Sequence, residues 1–272
     1  MTKTQKERVD VLLVERGLCE TREKAKRAIM AGTVYTNELR LEKPGEKIPV
    51  DVPLQVKGNE MPYVSRGGLK LEKALKYFNV DVKDKLMLDI GSSTGGFTDC
   101  ALQNGARHCY ALDVGYNQLA WKIRQDERVT VMERTNFRYV TAPDLHEGLP
   151  DFATIDVSFI SLKLILPVLK TLLVPGSDVI ALVKPQFEAG KDKVGKKGVV
   201  RDPKIHKNVL ETIASFAQQV GFTLRNVSYS PITGGEGNIE FLFHLVATEQ
   251  NETEYSDEQI KQVVLDAHQQ LS

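Results

Sequence analysis

Leu86-Met87-Leu88-Asp89-Ile90-Gly91-Ser92-Ser93-Thr94-Gly95-Gly96-Phe97-Thr98-Asp99 reads as a strand, a tight turn and the start of a helix. A short apolar run carries an acid near its end, and a glycine-rich turn follows. This is the layout of a nucleotide-type cofactor site. The glycines let backbone approach a ligand more closely than any side chain would permit. Their spacing is G-x-x-x-G-G, not the G-x-G-x-x-G of a dinucleotide site, and no Lys-Ser/Thr follows as in a P-loop. Asp89, just before the turn, would repel a pyrophosphate. A cofactor with a positive centre and no phosphate suits the turn, and S-adenosylmethionine (SAM) has both features. The glycines alone would equally suit an ordinary strand-to-helix turn in an α/β protein.

Two further strand ends favour the cofactor reading. Asp113 closes the run Cys109-Tyr110-Ala111-Leu112 about one βαβ unit later, where an acid hydrogen-bonds ribose hydroxyls. Val129-Thr130-Val131-Met132 ends at Glu133-Arg134-Thr135-Asn136, where an adenine could be held. The expected cofactor set is therefore Asp89, Gly91, Ser92, Ser93, Gly95, Gly96, Phe97, Asp113 and Asn136. Cys19, Cys100 and Cys109 form no metal or redox spacing, so no metal is expected.

The alternation continues downstream. A fourth strand spans 151–156, and a Leu- and Ile-rich helix runs to about 173. A fifth strand spans 178–184, and a helix covers about 205–220. Two closing strands lie near 223–229 and 239–246, separated by Gly234-Gly235-Glu236-Gly237-Asn238. Continuous apolar runs between helices indicate a parallel sheet buried on both faces. The final hairpin adds one antiparallel strand. The expected fold is α/β, a Rossmann-like class I SAM-dependent methyltransferase. Its sheet is doubly wound, seven-stranded and mostly parallel, and a small α+β RNA-binding domain precedes it.

In such sheets ligands sit beyond the carboxyl ends of the strands. Asp156 and Lys184 end the fourth and fifth strands. Glu240 opens the antiparallel last strand, so it starts on the same side. Lys70 lies in the helix that feeds the first strand. Each alone reads as an exposed charge. Together, two lysines and two carboxylates would converge on the methyl donor. A ribose 2′-OH is a weak acid and needs a base or cationic stabilisation as it attacks a methyl group. A lysine aligned by a carboxylate, with its pKa depressed by a neighbouring cation, can serve.

Residues 7–57 read as a separate domain. Val9, Leu12 and Leu13 share one face of a first helix. Thr21 caps a second, Arg22 to Ala31, which ends at Gly32. Ala25, Ala28 and Ile29 form its inner face, with Arg22, Lys24, Lys26 and Arg27 outside or nearby. Such a run is an RNA contact or simply a solvated face. Residues 58–64 form a linker. Ser65-Arg66-Gly67-Gly68 opens a capped amphipathic helix, and the methyltransferase domain spans 65–247. The tail, 248–272, is acidic and ends in a helix capped by Ser256 with Gln259.

The 272 residues suffice for one large and one small domain, and 42% hydrophobic with 26% charged content suits a folded protein. Net charge is zero, so nucleic-acid binding must rest on local basic surface. No apolar run approaches the roughly 20 residues of a membrane span, and no apolar signal core follows Met1. A cytoplasmic monomer or weak dimer without membrane partners is expected. This argues against a membrane-lytic protein.

The sequence also resembles known families. Arg8-Val9-Asp10-Val11-Leu12-Leu13, Thr21-Arg22-Glu23-Lys24-Ala25, Ala31-Gly32-Thr33-Val34 and Lys43-Pro44-Gly45 resemble the alpha-L RNA-binding domain of a small-subunit ribosomal protein and of pseudouridine synthases. That resemblance implies docking on structured RNA. Ser65 to Leu71, Asp89 to Asp99, Asp156-Val157-Ser158-Phe159-Ile160-Ser161-Leu162, Lys184-Pro185-Gln186-Phe187-Glu188 and Gly237-Asn238-Ile239-Glu240 resemble the TlyA family, with an FtsJ-like methyltransferase domain. Its members are known both as hemolysin A and as ribosomal RNA methyltransferases. The resemblance implies that the family's Lys-Asp-Lys-Glu tetrad falls on Lys70, Asp156, Lys184 and Glu240. It also implies methylation of cytidine 2′-OH groups in rRNA of one or both ribosomal subunits. The expected RNA-binding set is Arg8, Arg22, Lys24, Lys26 and Arg27, joined near the active site by Arg66, Lys193, Lys196, Lys197 and Arg201.

Overall fold

The computed structural model describes residues 5–37, 39–57, 61–248 and 255–271. The expected linker residues 58–60 and tail residues 249–254 and 272 lie outside the described residues. The chain forms two compact units, Met1–Pro62 and Tyr63–Ser272.

In the first unit, strand β1 (Lys6–Arg8) leads into helices α1 (Val9–Glu15) and α2 (Arg22–Met30). Strands β2 (Val34–Thr36), β3 (Leu39–Arg40), β4 (Lys47–Pro49) and β5 (Gln55–Val56) follow. β1 pairs with β4, and β3-β2-β5 form a second small sheet. Thr21 caps α2: its Oγ1 accepts a hydrogen bond from the Lys24 N–H at 3.2 Å. The apolar faces of α1 and α2 close on Val34 and Ile48, with Val9, Leu13, Ala25 and Ile29 at the centre. Asp10 is buried beneath them and held by Arg8 at 2.9 Å and Arg22 at 3.1 Å.

The second unit opens with α3 (Gly67–Phe78). There follow β6 (Leu86–Ile90), α4 (Gly96–Gln103), β7 (His108–Leu112), α5 (Trp121–Arg124), β8 (Val129–Met132) and β9 (Phe152–Ile155). Next come α6 (Leu166–Leu172), β10 (Asp178–Val183), α7 (Pro185–Glu188), α8 (Pro203–Gln219), β11 (Phe222–Tyr229), β12 (Phe241–Ala247) and α9 (Asp257–Leu271). The seven strands form one sheet in the order β11-β12-β10-β9-β6-β7-β8. β12 pairs antiparallel with both neighbours, and the pairs among β10, β9, β6, β7 and β8 are parallel. The expected doubly wound architecture with one antiparallel strand is present. The chain runs outward from β6 to β8, then returns to β9. The switch point therefore lies between β6 and β9.

Alternation along the strands divides the core in two, because successive side chains leave opposite faces. Leu86, Leu88, Ile90, Ala153, Ile155, Val179, Ala181, Val183 and Phe241 face the layer of α6, α8 and α9. Met87, Phe152, Ile180, Leu182 and Leu242 face α3 and α4, meeting Leu71, Ala74, Leu75, Phe97 and Cys100. This parity carries the site.

Two local expectations are corrected. Ser65 does not cap α3: Arg66 holds the N-cap position and makes no side-chain capping bond. The Ser65 carbonyl accepts the Gly68 N–H instead, a tight turn before the helix. Glu240 precedes the last strand rather than lying within it, because pairing begins at Phe241 opposite Val183. At the C-terminus, Ser256 and Gln259 exchange the expected reciprocal bonds.

Candidate active site

Parity predicts where the polar strand ends point. Counting on from Leu182, Phe152 and Leu242 by twos puts Lys184, Asp156 and Glu240 on the face covered by α3. Lys70 stands in the first turns of α3. The four side chains meet there. Lys70 Nζ donates to Glu240 Oε2 at 2.6 Å and lies 3.6 Å from Asp156 Oδ2. Lys184 Nζ lies 2.5 Å from Asp156 Oδ1 and donates to Ser158 Oγ at 3.1 Å. The result is one chain of ion pairs, Glu240–Lys70–Asp156–Lys184. Glu240 is 2% exposed, Lys70 and Lys184 8%. Charges this buried persist only when paired, and removing one partner typically costs about 3–5 kcal/mol.

The electrostatics set the charge state of Lys70. Burial opposes the Lys70 ammonium, but Asp156 and Glu240 outweigh it and raise its pKa above the ordinary value. Lys70 is a fixed cation, not a lysine drawn toward neutrality.

A cavity of about 620 Å³ opens at this end of the sheet. All four tetrad residues line it, with Gly91, Ser92, Ser93, Gly96 and Phe97 of the glycine turn. Gly91 is needed there on two counts. Its φ is +85°, and a Cβ would meet the Asp156 carbonyl oxygen at 2.5 Å. At Gly96, a Cβ would meet Ser65 Oγ at 2.3 Å, so only glycine lets α4 start against the entry to α3.

The acids of the expected cofactor set have distinct surroundings. Asp89 is fully buried and does not line the cavity. Its two oxygens accept from Thr98 Oγ1 at 2.7 Å and Thr154 Oγ1 at 2.8 Å. Burial pushes its carboxyl up to about 6 despite those bonds. It braces β6 against β9 and α4, beneath the turn. Asp113 is partly exposed at the end of β7, beside the turn. Its Oδ2 accepts from the Ser93 N–H at 2.8 Å and its Oδ1 from the Gly115 N–H at 2.7 Å. Each oxygen keeps lone-pair capacity for a further donor. Asn136 lies away from the cavity wall. Its Oδ1 accepts from the Arg138 N–H at 3.2 Å and caps the short turn 137–139.

The basic residues divide likewise. Arg66 and Lys197 line the cavity, whereas Lys193, Lys196 and Arg201 do not. Of the α2 cations, Arg22 pairs with Asp10, Lys24 with Glu20 at 2.6 Å and Lys26 with Glu23 at 3.0 Å. Arg27 is exposed.

Several residues that line the cavity were not in the expected site set, among them Ser158, Phe159 and Gln186. Ser158 bonds Lys184. Phe159 is 90% exposed at φ +63°, with its ring 5.0 Å from that of Phe187. Gln186 carries a buried Oε1 without a hydrogen-bond partner. Their motifs, Asp156-Val157-Ser158-Phe159 and Lys184-Pro185-Gln186-Phe187, were visible. Nothing in a sequence tells which side chain after a strand end turns outward.

A sheet of this order, with a glycine turn after its first strand and no phosphate-binding lysine, defines the class: a SAM-dependent methyltransferase fold, here joined to a small RNA-binding-type module. The FtsJ-like methyltransferase family model matches residues 63–247, and the S4 domain model matches residues 7–52. The chain belongs to the TlyA family. It is 44% identical over 239 residues to the 16S/23S rRNA (cytidine-2'-O)-methyltransferase TlyA of Mycobacterium tuberculosis, covering 88% of this chain and 89% of that protein. It is 70% identical over 270 residues to YqxC of Bacillus subtilis, covering 98% and 96%. A solved structure from Streptococcus thermophilus, 56% identical, superposes with a TM-score of 0.79 over 98% of this chain and 97% of that one. Among the described residues, no helix is long and apolar enough to cross a membrane, and no group of His, Cys, Asp or Glu could hold a metal ion.

Proposed function

We propose that this protein transfers a methyl group from SAM to the 2′-OH of cytidine in ribosomal RNA, on one or both ribosomal subunits in the cytoplasm. The observation that carries this reading is the Glu240–Lys70–Asp156–Lys184 chain of ion pairs on the wall that also holds the glycine turn.

SAM supplies an electrophilic methyl on a sulfonium centre. The residues present suit it. Asp113, anchored by two backbone N–H groups, can still accept from ribose hydroxyls, and Ser92, Ser93 and Phe97 line the cavity beside the glycine turn. The protein's task is then to place the RNA hydroxyl and remove its proton. Lys184 is the side chain nearest that proton, with Asp156 orienting its amine. Lys70, held charged between Asp156 and Glu240, keeps both carboxylates in register. Phe159 offers a base an aromatic face at the cavity mouth, a common way to hold an unstacked nucleotide.

The test is transfer of labelled methyl from SAM to rRNA, with the product mapped as a 2′-O-methyl cytidine. Lys184→Ala should nearly abolish transfer while SAM and RNA still bind. Lys184→Arg should also be poor, because a guanidinium does not release its proton near neutral pH. Near-normal turnover by the Arg variant would make Lys184 a cationic stabiliser and put the base elsewhere. Near-normal turnover by the Ala variant would remove the tetrad from the reaction.

A further inference from the structure

As the amine that takes a proton, Lys184 Nζ has three positions besides Cε: two N–H bonds and one lone pair. One is spent on Asp156 Oδ1 at 2.5 Å and a second on Ser158 Oγ at 3.1 Å. The third remains for the cavity that Lys184 lines. A single bond to Asp156 leaves the lone pair in either of the two remaining positions. A second bond, to Ser158, fixes the lone pair in the third. We infer that Ser158 is a positioning residue for the reaction: its hydroxyl aims Nζ of Lys184 at the substrate hydroxyl. The inference rests on the methyl-transfer reading above.

The surroundings of Ser158 support this role. The loop from Asp156 to Leu162 is tied at both ends to the elements that build the site. At its start, the Asp156 carbonyl lies against Gly91 of the glycine turn, at a distance no other residue there would allow. At its far end, the Glu188 carboxylate accepts from Ser161 Oγ at 2.6 Å and from the Leu162 N–H at 2.8 Å. Glu188 belongs to α7, which begins directly after Lys184. The clasp therefore joins the segment carrying Ser158 to the segment carrying the lysine it orients. Between the two ties Phe159 holds a left-handed backbone, φ +63°, a conformation a phenylalanine keeps only where its surroundings enforce it. Ser158 itself is exposed to the cavity and buries nothing, so its conservative variants leave the core intact.

The experiment compares the full-length protein with Ser158→Ala and Ser158→Thr, using SAM and rRNA, and measures kcat, KM for rRNA and Kd for SAM. Loss of one aligning hydrogen bond should lower kcat about tenfold. KM and the SAM Kd should stay unchanged, and Ser158→Thr, which keeps the hydroxyl, should restore most of the rate. An unchanged kcat in Ser158→Ala beside an active wild type overturns the inference and leaves the function standing. A Thr variant as slow as the Ala variant also overturns it, because loop packing rather than the hydroxyl would then matter. A wild type that puts no methyl on a 2′-OH removes the functional reading, and the inference with it.

Discussion

Two buried aspartates respond to pH in opposite directions. Asp10 is held near 2 by hydrogen bonds from Arg8, then Arg22, which outweigh its burial. A depressed carboxyl adds stability that is complete above its unfolded value near 4 and is lost as pH falls toward 2. Asp89 is raised to about 6 by burial. Its folded state prefers the proton, so stability is greatest below about 4 and declines as pH rises through 6. Two units correspond to about 3 kcal/mol at most. In denaturant unfolding of the larger unit between pH 4 and 7, wild type should lose stability relative to Asp89→Asn as pH rises, by up to that amount. Asp10→Asn should instead remove the acid-side loss in the smaller unit. The sequence showed both acids but not these environments. Asp89 was legible as the acid before the glycine turn, but its partners, Thr98 and Thr154, sit 9 and 65 residues away. Only the pairing of β6 with β9, and α4 folding back over β6, brings them to it.

At the scale of elements, most of the site followed from strand periodicity. Once β9, β10 and β12 are recognised, alternation alone sends Asp156, Lys184 and Glu240 to the face of α3. Less legible was what the loops do, because their residues have no period. The loop after α7 carries Val200 near its end, and the Val200 carbonyl lies 3.1 Å from His206 Nε2 in α8. His206 Nδ1 lies 2.9 Å from His268 Nε2 in α9. This pair links the loop bearing Lys197 to the C-terminal helix. Burial, then the neighbouring His268, lowers His206 to about 4, with the Val200 carbonyl and Asp202 opposing. The neutral ring is the folded form, so its contribution is intact above about 6.5 and is lost as pH falls toward 4. This contribution opposes that of Asp89 over the same window, so thermal unfolding should reveal it as a difference in pH dependence between the wild type and a variant that lacks the ring. His206→Phe should shift the pH dependence by the share of His206 while lowering stability at pH 7, since it removes the hydrogen bonds that His206 makes to the Val200 carbonyl and to the His268 ring.

At the scale of the whole molecule, the two units have separate hydrophobic cores, one around Leu13 and Ile29 and one on either side of the seven-stranded sheet. Their tasks should separate in the same way. The net charge of zero means that RNA affinity must come from local cations, and affinity carried by phosphate contacts falls with salt by roughly 0.9 log units per tenfold salt for each phosphate neutralised on a duplex. On α2, however, Arg22, Lys24 and Lys26 already face Asp10, Glu20 and Glu23. A phosphate must compete with those carboxylates, so the four cations should yield a smaller slope than four phosphates. Arg27→Ala should account for about one phosphate's share by itself. A protein of residues 63–272 should bind SAM as the full chain does, bind rRNA more weakly, and show a shallower salt dependence. Calorimetry for SAM and a salt titration of rRNA binding decide the matter together. If the truncated protein keeps the full slope, the basic face of α2 is a solvated helix surface, and the phosphate contacts belong to Arg66, Lys197 and their neighbours around the cavity.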